Sequence, residues 1–558
     1  MEKRMIAAIA LSVVVLIASQ YYFRSKYPKS KPVTAVQTSQ PAAPAAPAVK
    51  ATARPSGEPT AAPPSKEVVQ GTLQTLTIDS RLYSAIVSTE GGTLRSFALK
   101  SYKDQSGKPL ELIPQSPPES FGYPWKIVTG DPEIDRRANS GLYKVASRAG
   151  TVEPLDPGKP LELVYRDEKV SVTKTVTFTS HSYSVLLDVR LEAYGQPRDF
   201  RLAITPALVD FKTPDHDDFK ERSTVARVGQ SIEREDATGS EEDLSYSGSI
   251  EWAGLSSKYF SAVWVSADSR DSVLFDNTKY KALDDKGTEV ERHWVDALIP
   301  SRGPHWTGTV YYGPNDFEML SSVRAGLGEV TDYGYFGFLV KPLLAALRLV
   351  NTRIGNWGWS IIALTFLISL ALFPVRHKQM ASMKKMQVLQ PRVKEIQEKY
   401  KKLKKTDPKR QQMNVEVMNL YKENKVNPLG GCLPLLIQMP FLFAFYQMLN
   451  VSLELRGAPF ALWIQDLSRH DPYYVTPILM GALMVWQQKS MPSGVTDPAQ
   501  ARMMMMMPIV FTVMFLWVSS GLVLYMLFSS AFAMAFQWVS KKLDPSLRTE
   551  PAAGKALR

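Results

Sequence analysis

The side chains best able to do chemistry in this 558-residue chain fall into two unlike settings. Asp210, Asp215, His216, Asp217 and Asp218 crowd around Pro214, and carboxylates beside an imidazole are metal-ligand types. Their polar, acidic surroundings read as a solvated loop, so no metal is assigned to them. The second set lies inside apolar runs: Thr365, Ser369, Gln438, Gln447, Thr512, Ser529, Ser530 and Gln537. Thr365 and Ser369 stand four apart, on one face of a helix. Hydroxyls and amides in such runs either face a bundle interior or a water-filled cavity, or tie one helix to another. Neither role makes or breaks a covalent bond. The sequence has no P-loop, HExxH helix, GxSxG elbow or dinucleotide glycine fingerprint, and no cofactor is expected.

The elements that must position those residues are apolar runs near membrane-spanning length. Ile354–Val375, Cys432–Asn450, Pro472–Gln488, Met503–Val518 and Leu522–Val539 each read as a span. Only Ser519-Ser520-Gly521 separates the last two. One helix through both would run ~55 Å against a ~30 Å hydrocarbon core, so a hairpin across the bilayer is predicted.

Charge gives the orientation. Residues 70–340 hold 30 Lys/Arg against 40 Asp/Glu, a net of −10, whereas residues 375–428 hold 15 against 5, a net of +10. A basic block between apolar spans marks a cytoplasmic loop. The loop Ser452–Tyr474, at −1, and the tail after Ser540, at +3, agree. A first apolar run, Met5 to Phe23, reads either as a cleaved signal peptide or as a retained anchor. Its aromatic and basic edge, Tyr21-Tyr22-Phe23-Arg24, without a small-x-small site, favours the anchor. Counting it gives six transmembrane helices with both termini cytoplasmic.

Within the basic block Met386, Leu389, Val393, Ile396, Tyr400 and Leu403 are spaced 3, 4, 3, 4, 3, a heptad seam. Asp407-Pro408 opens a second helix, on which Met413, Val417 and Leu420 supply the facing stripe. An antiparallel helical hairpin is predicted over residues 376–425. Its lysines suit nucleic acid, anionic lipid or another protein, or merely enforce topology. Met380, Met383 and Met386, and the run Met503–Met507, read either as adaptable contact surface or as plain packing. Cys432, the one cysteine, sits in an apolar run and reads as a buried inert thiol.

The remainder is soluble in character. After an anchor over residues 1–24, residues 25–69 are Pro- and Ala-rich and predict a disordered tether. From about residue 71 the period becomes two. Tyr183, Val185, Leu187, Val189 and Leu191 alternate with Ser184, Leu186, Asp188 and Arg190, and Val170, Val172, Val176 and Phe178 do much the same. A β-sandwich over residues 70–334 follows, closed by a helix from Phe317 to Leu327. Residues 335–353, with Phe336, Phe338, Leu343, Leu344, Leu347 and Val350 interrupted by Lys341 and Arg348, predict a helix lying in the interface. Residues 354–540 form the helical core, and residues 541–558 a basic tail.

The run Asn427-Pro428-Leu429-Gly430-Gly431-Cys432-Leu433-Pro434-Leu435-Leu436-Ile437-Gln438-Met439-Pro440 resembles the signature of the YidC family of insertases. Gly355–Ser360, Ala458–Trp463, Asp471–Tyr474 and Ser520–Tyr525 resemble further family segments, in the family's order. The acidic domain resembles that of the Gram-negative form, a periplasmic β-supersandwich, and Trp252 to Trp264 resembles one of its segments. The resemblance implies insertion and folding of membrane proteins in the bacterial inner membrane, alone or beside the Sec translocon. Implied partners are nascent membrane proteins, that translocon, the lipid bilayer, and the ribosome and signal-recognition-particle pathway through the hairpin and tail. No sequence-specific nucleic acid is implied. A small-molecule transporter would instead show an inverted repeat or paired broken helices. A tethered periplasmic enzyme would need a catalytic constellation in residues 70–330, and none is evident.

The resemblance also implies a hydrophilic groove open to cytoplasm and lipid but closed to the periplasm. A client's polar segment enters it while the client's apolar helix slides along flanking spans. A charge at the bilayer centre costs on the order of 2.5–3.5 kcal/mol on insertion scales, and a wet half-channel shortens the dry path. The last two spans, 16 and 18 residues, reach roughly 24–27 Å, which fits local thinning. Thr365 matches the family's polar position, and Gln438 is a polar residue of the next span. Leu442, Met480 and Met514 match client-contact positions. The family's functional tyrosine aligns with Met526, beside Tyr525. The family's groove Arg or Lys, five residues before the proline of the second span, is Ser369 here. Arg376, seven residues on and nearly on the same helical face, reads either as an ordinary positive-inside anchor or as the source of positive potential at the groove's cytoplasmic mouth. Ser369 and Thr365 then keep its floor wet, and Pro374 between them weakens the alignment.

Overall fold

The computed structural model describes residues 68–104, 106–115, 117, 121–146, 156–204, 222–237, 242–283, 288–400, 409–424, 433–490 and 498–544. Outside them lie the first apolar run, nearly all of the Pro/Ala tether, the acidic cluster at 210–218, Leu403, Asp407-Pro408, Cys432 and the end of the tail. The chain divides into two compact units, residues 1–330 and 331–558.

In the first unit the period-two pattern becomes strands. Val170–Phe178 and Ser184–Ala193 bury alternate residues and pair antiparallel, from Val170 opposite Ala193 to Phe178 opposite Val185. Branched side chains at 170, 172 and 176 suit the pleated surface. Among the described residues thirteen strands join one antiparallel sheet. Its longest member, the 24-residue Phe260–Leu283, pairs with Leu244–Ser256, Glu289–Pro300 and His305–Pro314. A second sheet of four strands, Thr75–Asp79, Tyr83–Ser88, Thr93–Lys103 and Pro109–Glu111, lies face to face with it. Ring contacts bridge the two, Phe97 to Tyr312 at 5.5 Å and Tyr83 to Phe178 at 6.3 Å. This is the sandwich that the alternation predicts, filled by Trp125, Trp252, Trp264 and Trp306.

One inward position breaks the apolar rule. Lys174 occupies the interior register between Val172 and Val176 and is fully buried. Its Nζ donates to the carbonyls of Gly91 at 2.6 Å, Trp125 at 2.8 Å and Gly92 at 3.4 Å. Gly91 and Gly92, at φ +66° and +55°, form a left-handed turn between two strands of the small sheet that presents those oxygens. Loss of solvent pushes the ammonium down to about 7.

Among the described residues two α-helices belong to this unit, Pro132–Ser140 (α1), capped by Asp131, and Phe317–Val323 (α2), capped by Asp316. The closing helix predicted to reach Leu327 therefore stops four residues short. Arg324 is extended, Gly326 has φ +88°, and the chain resumes as a 3₁₀ turn at Leu327–Val330.

The second unit is helical: Gly337–Ile354 (α3), Trp357–Ala371 (α4), Phe373–Lys399 (α5), Lys409–Glu423 (α6), Leu433–Val451 (α7), Val475–Ser490 (α8), Pro498–Phe515 (α9) and Ser520–Leu543 (α10). Helix α3 buries Val340, Leu343, Leu344 and Leu347 toward α4 and α7 and leaves Phe338 and Leu349 exposed. Helix α10 packs on α4 and α8, and α9 on α8, where Gly481 leaves Thr512 room that a Cβ would fill. Among the described residues α10 alone is long and apolar enough to cross a membrane by itself. Helices α4 and α5 pass the same test only as a pair, bent by 53°.

Two expectations change here. The span Ile354–Val375 is broken at Leu372, with Pro374 in the first turn of α5, where a missing N–H costs nothing. Ser369 and Arg376 thus do not share one straight helical face. The last helix has 24 residues rather than 18, because it continues through Lys541 and Lys542. The whole helix is about 36 Å long, its apolar stretch keeps its length, and Lys542 lies 3.5 Å over the Trp538 ring.

The hairpin seam is present. Met386, Leu389 and Val393 of α5 bury against Tyr421 of α6, with Val417 and Leu420 beside it. Ile396, Tyr400 and Met413 are only half-buried and stand outside that cluster.

Candidate functional site

Four side chains from three helices meet where α5 begins. Arg376 Nη2 donates to Gln438 Oε1 of α7 at 3.1 Å. Gln438 Nε2 donates to the Tyr525 hydroxyl of α10 at 2.8 Å and lies 3.3 Å from Ser529 Oγ, one turn along the same helix. The Tyr525 ring stacks on Phe445 of α7, centroids 4.0 Å apart at 12°. An amide suits this position because its oxygen accepts from the cation while its NH₂ serves two hydroxyls. Arg376 Nη1 is buried and has no hydrogen-bond partner among the described residues. A guanidinium presents its donors as a rigid fork, so one arm is committed to Gln438 and the other is not.

Thr365 and Ser369 are both buried in α4, at 1% and 2% exposure. Thr365 Oγ1 donates back to Ile361 O at 2.6 Å, which satisfies it within its own helix. Thr512 does likewise with Pro508 O at 2.7 Å. Gln537 ties α10 to Ser490 O of α8 at 3.1 Å, the helix-joining role. The client-contact matches are scattered. Leu442 is half-buried on α7, Met480 is fully buried on α8, and Met514 of α9 is 52% exposed. Met526 is buried beside Tyr525, but the tyrosine, not the methionine, enters the polar network. Met505, Met506 and Met507 are exposed on α9.

Sequence reasoning joined neither Ser529 nor Phe445 to Arg376. Ser529 stands four after Tyr525, a spacing that puts both on one face. Nothing in the local sequence marks Phe445.

At the other end of these helices the loop Ser452–Tyr474 ties several elements together. Ser520 Oγ donates to Arg469 O at 2.7 Å and Asp466 O at 3.1 Å, and Gly521 N to Leu467 O at 3.0 Å. Asn356 caps α4 and donates to the carbonyls of Phe460 and Pro459. The Phe460 ring fills the space a Cβ on Gly358 would need. Asp471, fully buried, accepts from Trp463 Nε1 at 2.9 Å and from both the N–H and the hydroxyl of Thr476 at 2.8 Å, fixing the start of α8. Glu454 accepts from Arg348 Nε of α3 at 2.6 Å.

Residues 349–546 match the family described as 60Kd inner membrane protein, and residues 75–346 match the YidC periplasmic domain. A membrane protein insertase YidC of Syntrophus aciditrophicus strain SB is 35% identical over 561 residues, covering 97% of this chain and 100% of the relative. One from Geobacter sp. strain M21 is 36% identical over 490 residues, covering 84% and 86%. A crystal structure of an active YidC insertase aligns with 84% of this chain and 94% of its own at 16% identity, with a TM-score of 0.36. The relatives are named as membrane protein insertases, an activity that is not an enzyme's, and at this identity over nearly the whole length the chain belongs to the YidC family of membrane protein insertases.

Proposed function

We propose that this insertase takes up the polar segment of a client in a groove whose cation is Arg376, displaced from the last turn of α4 to the first turn of α5. The observation that carries the reading is the bond from Arg376 to Gln438, with the second arm of the guanidinium buried and unpaired. Gln438, Tyr525 and Ser529 hold the cation, and Thr365 and Ser369 line the floor. Leu442 of α7 and Met514 of α9 present apolar surface along which the client helix moves into lipid. Met480 and Met526, both buried, support those surfaces from within. A cation at the mouth draws an acidic tail inward without standing at the bilayer centre, where its own cost is greatest.

The same reading has six spans: an anchor in residues 1–24, then α4, α7, α8, α9 and α10. Both termini and the hairpin 376–425 are cytoplasmic, and residues 25–353 are periplasmic, with 25–69 a tether, 70–334 the sandwich domain and 335–353 an interfacial helix. The hairpin and the tail at 541–558 meet the ribosome and the signal-recognition-particle pathway, and the core works alone or beside the Sec translocon. The test uses the full chain in liposomes with a small single-span client bearing an acidic or a neutral tail. Arg376→Gln should slow the acidic client several-fold, and adding Ser369→Arg should restore it. Unchanged insertion by Arg376→Gln, with topology intact, reduces Arg376 to an ordinary positive-inside anchor.

A further inference from the structure

The cation of the proposed groove rides on a different element from the polar floor. Thr365 and Ser369 belong to α4, whereas Arg376 lies in the first turn of α5. Helix α5 runs without interruption from Phe373 to Lys399 and carries Met386, Leu389 and Val393 of the hairpin's buried seam. One rod therefore has its first turn in the groove and its far half in the hairpin. Its root has a fulcrum. Leu372 separates α4 from α5 at a bend of 53°, and the Phe373 ring rests 5.3 Å from Phe536 of α10, itself 6.1 Å from Phe366 of α4. Arg376 stands four residues beyond Leu372, about 6 Å along the helix, and Lys399 about 40 Å along it. A movement of about 1 Å at Arg376 thus becomes roughly 7 Å at the end of α5. Pro391 falls inside that arm, where the packing of Leu389 and Val393 with Tyr421 of α6 splints it.

The bond that holds the short end is replaceable. Gln438 offers Arg376 one neutral amide oxygen at 3.1 Å, and Nη1 is buried without a hydrogen-bond partner among the described residues. A carboxylate brings a full negative charge and accepts two parallel bonds from a guanidinium, so it competes with that single oxygen for Nη2. We propose that α5 is a lever coupling the groove to the hairpin. A client carboxylate that takes Arg376 from Gln438 frees the short arm, and the hairpin swings. The coupling runs both ways: a partner that swings the hairpin lengthens the Arg376–Gln438 bond and readies the cation for a client. A cation at Ser369 would lack this link, because α4 ends before the bend. The inference rests on the reading of Arg376 as the groove cation.

The test uses the full chain in liposomes, with Cys432→Ser and spin labels at Lys394→Cys on the hairpin and Lys489→Cys near the end of α8, both exposed positions. Pulsed electron spin resonance reads the distance between them with a single-span client bearing an acidic or a neutral tail. The acidic client should shift the distribution by several Å, and the neutral one should not. Arg376→Ala should remove the difference between the two. Ala381→Gly with Ser382→Gly softens α5 between Arg376 and Met386, and should abolish the shift while the acidic client still inserts by way of Arg376. An acidic client whose insertion needs Arg376, with no movement of the hairpin, overturns the lever and leaves the groove reading standing. Equal shifts by both clients also overturn it, for the hairpin then answers to the apolar helix. A shift that survives the glycine pair overturns α5 as its carrier. Insertion indifferent to Arg376 removes the groove cation, and the lever with it.

Discussion

Arg376 and Gln438 stand 62 positions apart in sequence and 3.1 Å apart in space, and their bond couples the first turn of α5 to α7 and, through Tyr525, to α10. Gln438→Glu keeps an acceptor for the guanidinium but adds a charge that cancels it. Insertion of an acidic-tailed client should then slow several-fold while a neutral-tailed client is hardly affected. Gln438→Leu removes the partner of three polar groups at once, Arg376, Tyr525 and Ser529, at a cost of about 1–3 kcal/mol for each group left unsatisfied, and should slow both clients. Insertion rates in liposomes decide it, and equal slowing of the two clients by Gln438→Glu would contradict an electrostatic role.

The hairpin is expected to depend on its packed seam more than on its surface charge. Leu389→Asp with Val393→Asp places two carboxylates where both side chains are now buried. Several kcal/mol are then lost from helix pairing, and most of the activity with them. Lys385→Gln with Lys394→Gln alters exposed positions and should cost far less. Matched membrane levels and client insertion measure both, and equal losses would assign the hairpin a purely electrostatic role.

Lys174 makes the sandwich pH-sensitive. Its folded value of about 7 lies below the ordinary lysine value near 10.4, so between those limits the unfolded chain holds more protons than the native one. The contribution of Lys174 to the stability of the domain therefore rises with pH across about 7 to 10, by at most ~1.4 kcal/mol per unit, and is flat below that window. Lys174→Met should abolish the rise and, by orphaning the carbonyls of Gly91, Gly92 and Trp125, speed exchange of the amides around 91–94. Hydrogen exchange of the full chain at several pH values reads both effects.

Ser520 links the start of α10 to the loop after α7. Ser520→Ala removes one hydroxyl proton, shared between Arg469 O and Asp466 O, at a cost of about 1–1.5 kcal/mol. Amides of residues 466–470 should exchange roughly tenfold faster while those in the middle of α10 hold. Protection unchanged at 466–470 would mean that the backbone bond from Gly521 suffices.

Where an arrangement is local, the sequence exposes it. Period two in Val170–Phe178 and the 3, 4 spacing of Met386, Leu389 and Val393 each report which face is buried, and those faces are buried. Lys174 falls in the same interior register, yet nothing nearby in sequence supplies its acceptors, which arrive from about 50 and 80 residues upstream. Tyr421 joins the hairpin seam one position after Leu420 because the facing stripe is wider than a heptad template. Arg376 stands out in the sequence as the cation nearest Ser369 and Thr365, but its partner Gln438 does not. The break at Leu372 redirects the side chain from the α4 face toward Gln438, and such a redirection follows from tertiary packing.

The knot of bonds around the loop Ser452–Tyr474 gathers one end of α4, α8 and α10, and among the described residues no shared loop gathers their opposite ends. Rods hinged at one point spread like the ribs of a fan. A 15-residue helix is about 22 Å long, so a tilt of roughly 5° about the hinge moves its free end by about 2 Å and its tied end hardly at all. On the proposed topology the hinge is periplasmic. A client can then wedge the bundle apart from the cytoplasm while ions on the far side still meet a closed wall.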